Sequence, residues 1–180
     1  PAAPITALPA LTATEQDALL PVHGPAGGSD ATLPQLLAAT AAAHPDRPAL
    51  REGERVLTYR ELDERSTRMA RILLRRGAGP ETFGALGIAR SIESVTAMWA
   101  ITKTGAAFVP VDPRYPAERV AFMLDDCGAT VGLTTTAHRD RLPDTVPWLL
   151  LDDLDRDATG ENTTTIDDTD RPVAPRLDHP

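Results

Sequence analysis

The sequence has little cysteine, little lysine and no long apolar run. Cys127 is its one thiol, which excludes an internal disulfide framework and makes a cytoplasmic location the default expectation. Of 18 basic residues only Lys103 is a lysine, so any chemistry needing an amine nucleophile or a phosphate-binding lysine has one candidate. Lys103 stands just before Gly105 at an expected helix end, where a cation meets the negative end of the helix dipole. A structural role is therefore expected for it. No stretch approaches the roughly eighteen apolar residues of a membrane span. The N-terminus has neither the basic start nor the apolar centre of a signal peptide. A net charge of -8 argues against nucleic acid as a partner, and no membrane partner is expected.

Several catalytic patterns are missing as well. There is no Walker-type Gly-x-x-x-x-Gly-Lys, and Gly77-Ala-Gly79 follows an expected helix where a dinucleotide fingerprint must follow a strand. His23, His44, His138 and His179 form no pair at zinc-ligand spacing. Asp153-Leu-Asp155-Arg-Asp157 imitates the start of a calcium loop, but Ala158 takes the turn glycine's place and Thr164 the closing glutamate's. Ser91 and Ser94 lack the surroundings of a hydrolase nucleophile. Cys127 sits beside Asp125 and Asp126, which disfavour a thiolate.

What is present reads as α/β. The 42% apolar content of 180 residues suits one domain with a core, while 17 prolines signal much irregular chain. Residues 1–31 contain no Lys or Arg and read as a linker, with a possible capping box at Thr12–Glu15 and a break from Gly24 to Asp30. Thr32-Leu-Pro-Gln35 opens a helix running to His44. Ala49-Leu50 and Val56-Leu57 flank a hairpin turn. Thr58-Tyr-Arg-Glu61 is a second capping box, followed by an apolar stripe of Leu62, Met69, Ile72 and Leu73 and closed by Gly77. Strands are expected at 83–88, 107–109, 131–133 and 148–151, with helices capped by Ser91 and led by Pro116 between them. A short helical turn is expected near His138. Strand alternating with helix implies parallel pairing. Residues 152–180 are acidic and are expected to form a mobile, solvated segment. Asp112 and Arg114 are placed to pair locally within a stiff proline-rich connector.

Two blocks carry a family resemblance. Leu57-Thr58-Tyr59-Arg60-Glu61-Leu62 and Lys103-Thr-Gly105-Ala-Ala-Phe-Val-Pro110-Val-Asp112-Pro113-Arg-Tyr-Pro116-Ala-Glu-Arg119 stand in order and at suitable separation. Together they resemble the adenylation domains of non-ribosomal peptide synthetases. Thr104 and Phe108 replace the family's usual Ala and Tyr. The resemblance implies an α/β, partial N-terminal subdomain of an adenylate-forming enzyme over residues 32–151. Residues 1–31 would be a condensation-to-adenylation linker, and 152–180 would lead toward a phosphate loop.

The complete domain would use ATP and Mg to activate an amino acid and load a carrier-protein thiol. Its partners would be the remainder of the adenylation domain and neighbouring condensation and carrier-protein domains. The family's Thr-Ser-Gly-Ser-Thr-Gly-x-Pro-Lys-Gly loop does not occur before Pro180. No catalytic, cofactor-binding or metal-binding residue is therefore carried over, and the chain alone is expected to be inactive. Leu57, Thr58, Tyr59, Glu61, Leu62, Gly105, Pro110, Asp112, Pro113, Pro116 and Arg119 are expected to serve the structure. The alternatives are a piece of an acyl-CoA or aryl-acid ligase, or a non-enzymatic docking or structural subdomain.

Overall fold

The computed structural model describes residues 11, 12, 14, 15, 18, 31–157, 160–176 and 179. The chain divides into two compact units, residues 1–30 and 31–180. In the first, the Glu15 carboxylate accepts from the Thr12 amide and hydroxyl, each at 2.8 Å, and Thr14, Glu15 and Ala18 are helical. The expected break at Gly24–Asp30 lies outside the described residues.

The second unit opens with α1 (Leu33–Ala43), an antiparallel hairpin β1 (Pro48–Glu52) and β2 (Arg55–Thr58), and α2 (Tyr59–Arg75). At the start of α2, Thr58 Oγ1 accepts from the Glu61 amide at 3.3 Å, and Glu61 Oε2 accepts from the Thr58 amide at 2.8 Å. Two otherwise unpaired helix N–H groups are thereby satisfied. The stripe read from the sequence is the buried one: Leu62, Met69, Ile72 and Leu73 all lie inside.

A four-stranded parallel sheet follows, from β3 (Phe83–Gly87), β4 (Ala107–Pro110), β5 (Val131–Thr134) and β6 (Trp148–Leu150), in spatial order β4-β3-β5-β6. Helix α3 (Ile92–Thr104) connects β3 to β4, α4 (Ala117–Cys127) connects β4 to β5, and the short α5 (Thr136–Arg139) precedes β6. Alternation along each strand divides the core between two faces. Leu86 and Leu133 pack with Leu73, Ala97 and Ile101, while Ala85 packs with Val120 and Leu124 of α4. Fully burying Leu73, Ile101 or Leu133 contributes roughly 2 kcal/mol each. Trp148 joins the α4 face, where a Cβ on Gly132 would collide with its indole ring. Two small residues clear that space: a Cβ on Gly87 would also meet the indole, at 2.9 Å.

The structure corrects two expectations. Pro116, expected at the first helical position, is the N-cap of α4, with ψ 138°. Its carbonyl accepts from the Arg119 and Val120 amides, which is the task of a cap residue. Leu151, expected to end a strand, opens helix α6 (Leu151–Asp157). Further on, Ile166 is buried in the main core. Arg71 reaches across to this segment, donating to the carbonyls of Asn162 and Thr164 and pairing with Asp170 at 2.8 Å. Arginines on the helical layer thus recruit the acids that composition alone marks as solvated.

Candidate functional site

The first motif block is anchored at both ends. Leu57 and Leu62 are buried with Leu37 and Ile92, and Tyr59 packs against the same cluster. Thr58 and Glu61 are occupied by the cap. The Thr58 amide holds the Glu61 carboxyl below its ordinary range, with the Thr58 hydroxyl adding to it. Arg60 of the same block pairs with Asp46 at 3.2 Å.

The second block begins at Lys103, on the last turn of α3. Its ammonium crosses to α2. Nζ donates to Asp63 Oδ1 at 2.6 Å, to the Asp63 carbonyl at 2.8 Å and to Thr67 Oγ1 at 2.7 Å. All three ammonium protons are used. Burial pulls Lys103 below the ordinary lysine range, and the Asp63 carboxylate opposes that pull. On the far side, Arg171 donates twice to the Lys103 carbonyl, at 2.9 and 3.1 Å. Asp63 lies one residue beyond the first motif, so this contact joins the two blocks. No local pattern marks Asp63, and sequence reasoning missed it.

Gly105 ends α3 in the left-handed region, φ 90°. A Cβ there would also stand 2.9 Å from the Pro80 ring. The family departures are accommodated: Thr104 Oγ1 donates to the Ile101 carbonyl at 2.7 Å, and Phe108 packs against the main core. Pro110 closes β4, and the connector then turns on Asp112. Arg114 grips that carboxylate with Nε at 3.0 Å and Nη2 at 2.7 Å. This pairing, expected from the sequence, holds the Asp112 carboxyl down at about 2. Arg119 stacks its guanidinium over the Tyr115 ring at 5.0 Å.

The carboxyl ends of β3, β4 and β5 meet at a cleft of about 930 Å³. Pro110, Asp112, Pro113 and Arg114 of the second motif line it, together with Arg90 and Arg141. In open parallel sheets this is the end where ligands bind. Among the described residues no group of three His, Cys, Asp or Glu side chains could hold a metal ion. No described helix is long and apolar enough to cross a membrane.

Comparison with known proteins places this geometry. The family model described as AMP-binding enzyme matches residues 37–179. A probable non-canonical non-ribosomal peptide synthetase of Salinispora arenicola, CymA, is 43% identical over 151 residues, covering 83% of this chain and 2% of that protein. The crystal structure of the non-ribosomal peptide synthetase FmoA3 in its AMPPNP-bound form superposes with a TM-score of 0.74 at 27% identity, over 84% of this chain and 16% of that one. The N-terminal subdomain of Klebsiella oxytoca NpsA, in complex with anthranilyl-AMSN, gives 0.68 at 26% identity, over 82% and 38%. This chain thus spans a small part of the length of the relatives it matches. The chain belongs to the AMP-binding enzyme family, as an N-terminal portion of a non-ribosomal peptide synthetase adenylation domain.

Proposed function

We propose that this chain is the structural opening of a domain that activates an amino acid with ATP and magnesium and delivers it to a carrier-protein thiol. In that reaction the substrate carboxylate attacks the α-phosphorus, and pyrophosphate leaves. The carrier thiol then attacks the acyl carbon, and AMP leaves. The observation that carries the reading is the family match across residues 37–179 together with 43% identity to a peptide synthetase.

The residues of this chain do not fit a site for ATP and magnesium. The one lysine is buried in an ion pair, the phosphate-loop motif does not occur, and no ligating cluster of acids is gathered among the described residues. Its contribution is to hold the frame on which the remaining segments build the site. The family-motif residues act in that sense: Thr58 and Glu61 cap, Leu57 and Leu62 pack, Gly105 turns, and Pro110 to Arg119 stiffen the exit from β4. The neighbouring condensation and carrier domains are the expected partners, with residues 1–31 as the connector.

The test is amino-acid-dependent exchange of pyrophosphate into ATP. The 180-residue chain should show none, and the synthetase polypeptide containing it should show exchange driven by an amino acid. Robust exchange by the chain alone would overturn this division of labour. Exchange driven only by aryl or fatty acids would move the protein to the acyl-ligase branch.

A further inference from the structure

The cleft at the carboxyl end of the sheet carries a charge opposite to that of the chain. The protein has a net charge of -8, yet three arginines and one carboxylate line this cleft. That carboxylate, Asp112, is neutralised by the two-pronged grip of Arg114. His138 lines the same cleft. His138 Nδ1 pairs with Thr135 Oγ1 at 2.9 Å, which leaves Nε2 as the ring's other polar atom.

Of the three arginines that line the cleft, Arg90 and Arg141 hold no carboxylate. Arg55, Arg71, Arg75, Arg139 and Arg171 each hold a carboxylate. Among the described residues no ion pair or side-chain hydrogen bond engages Arg90 or Arg141, and both are exposed. They approach the cleft from different strands, Arg90 following β3 and Arg141 following β5. Beneath them lie the half-buried side chains of Ile88, Met98 and Phe108. Two unengaged guanidinium forks above an apolar floor make a pocket with distinct ends.

We infer that this cleft binds a small organic oxyanion, with its phosphate or carboxylate head between Arg90 and Arg141 and its apolar body on Ile88, Met98 and Phe108. The oxyanion supplies the acceptors that the two arginines lack. The apolar body removes the floor from water, which inorganic phosphate cannot do. The inference does not depend on the adenylating reaction, because it concerns groups to which that reading assigns no chemistry.

The experiment is a titration of the 180-residue chain, followed by amide chemical shifts, with hexyl phosphate, hexanoate, inorganic phosphate and hexanol. Hexyl phosphate or hexanoate should saturate, with shifts centred on residues 88–90, 110–114 and 138–141. The tighter of the two identifies the head group. Inorganic phosphate should bind more weakly than hexyl phosphate, and hexanol should not saturate. Arg90→Gln and Arg141→Gln should each weaken binding about tenfold. Arg51→Gln, a change outside the cleft, should leave it unaltered. Binding of neither anion, shifts centred elsewhere, or an affinity in both the Arg90→Gln and Arg141→Gln variants unchanged from that of the unsubstituted chain would overturn the inference.

Discussion

Lys103 and Asp63 form a buried ion pair, Nζ to Oδ1 2.6 Å, that ties the end of α3 to the first turns of α2. The lysine side chain is 6% exposed and the aspartate 18%. Such a pair holds two elements in one arrangement, although an apolar pair of similar size can be as stable. Removing one partner is another matter, because the other is left buried and uncompensated.

Lys103→Met alone should therefore destabilise the chain by about 3 kcal/mol, and Asp63→Leu by a smaller amount because Asp63 keeps some solvent. The double variant should recover much of the loss. Urea melts of the four proteins give the coupling directly. Additive losses would show that the two side chains act independently.

Gly105→Val should cost at least about 2 kcal/mol. A β-branched residue is strained at φ 90°, and its Cβ meets the Pro80 ring. Gly128→Val provides a comparison, since φ there is 65° but nothing lies within 4 Å of the added Cβ. The thermal midpoint should fall further for Gly105→Val than for Gly128→Val. Equal falls would remove the Pro80 contact from the account.

Gly132→Ala should destabilise by about 1–3 kcal/mol through overpacking against Trp148. Trp148→Leu in the same background should restore part of that loss. Near-ultraviolet dichroism and a urea melt would report both. An unchanged midpoint in Gly132→Ala would mean that the indole can leave its seat without cost.

Acid should unfold the chain through its paired carboxylates. Arg71 holds Asp170 below its ordinary value of 3.8, and the Thr58 amide holds Glu61 below 4.5. With depressed folded values, the unfolded chain takes up protons first as pH falls. The stabilisation is complete above about 4.5 and is lost as pH drops through the folded values. Arg71→Gln should flatten that slope by removing the Asp170 share. A thermal midpoint insensitive to pH between 5 and 3 would contradict the argument.

The elements that announced themselves in the sequence are those fixed by neighbours a few residues away. The Thr58–Glu61 cap, the Ser91 cap, the Gly105 helix end and the Asp112–Arg114 pair are all local. Lys103 was visible as a lone lysine, but its partner Asp63 lies forty residues away and has nothing local to mark it. The same holds for Arg71 and Asp170, so the acidic segment reads as solvated until its arginine is in place. Pro116 shows a finer limit: a proline fits both the cap and the first turn by φ, and only ψ separates them. The cleft was not legible: Asp112 and Arg114 read only as a local pair within a stiff connector. Arg90 and Arg141 join it only because β3 and β5 are neighbours.

We propose that the motif blocks hold a frame and do no chemistry. The most direct measurement is amino-acid-dependent pyrophosphate exchange by the synthetase carrying the Lys103→Met, Asp63→Leu double substitution. The expected result is a folded enzyme whose kcat stays within about twofold of the unsubstituted protein, since no group contacting ATP would have been removed. A folded double variant with kcat reduced about a hundredfold or more would place Lys103 or Asp63 in the reaction itself and contradict the account.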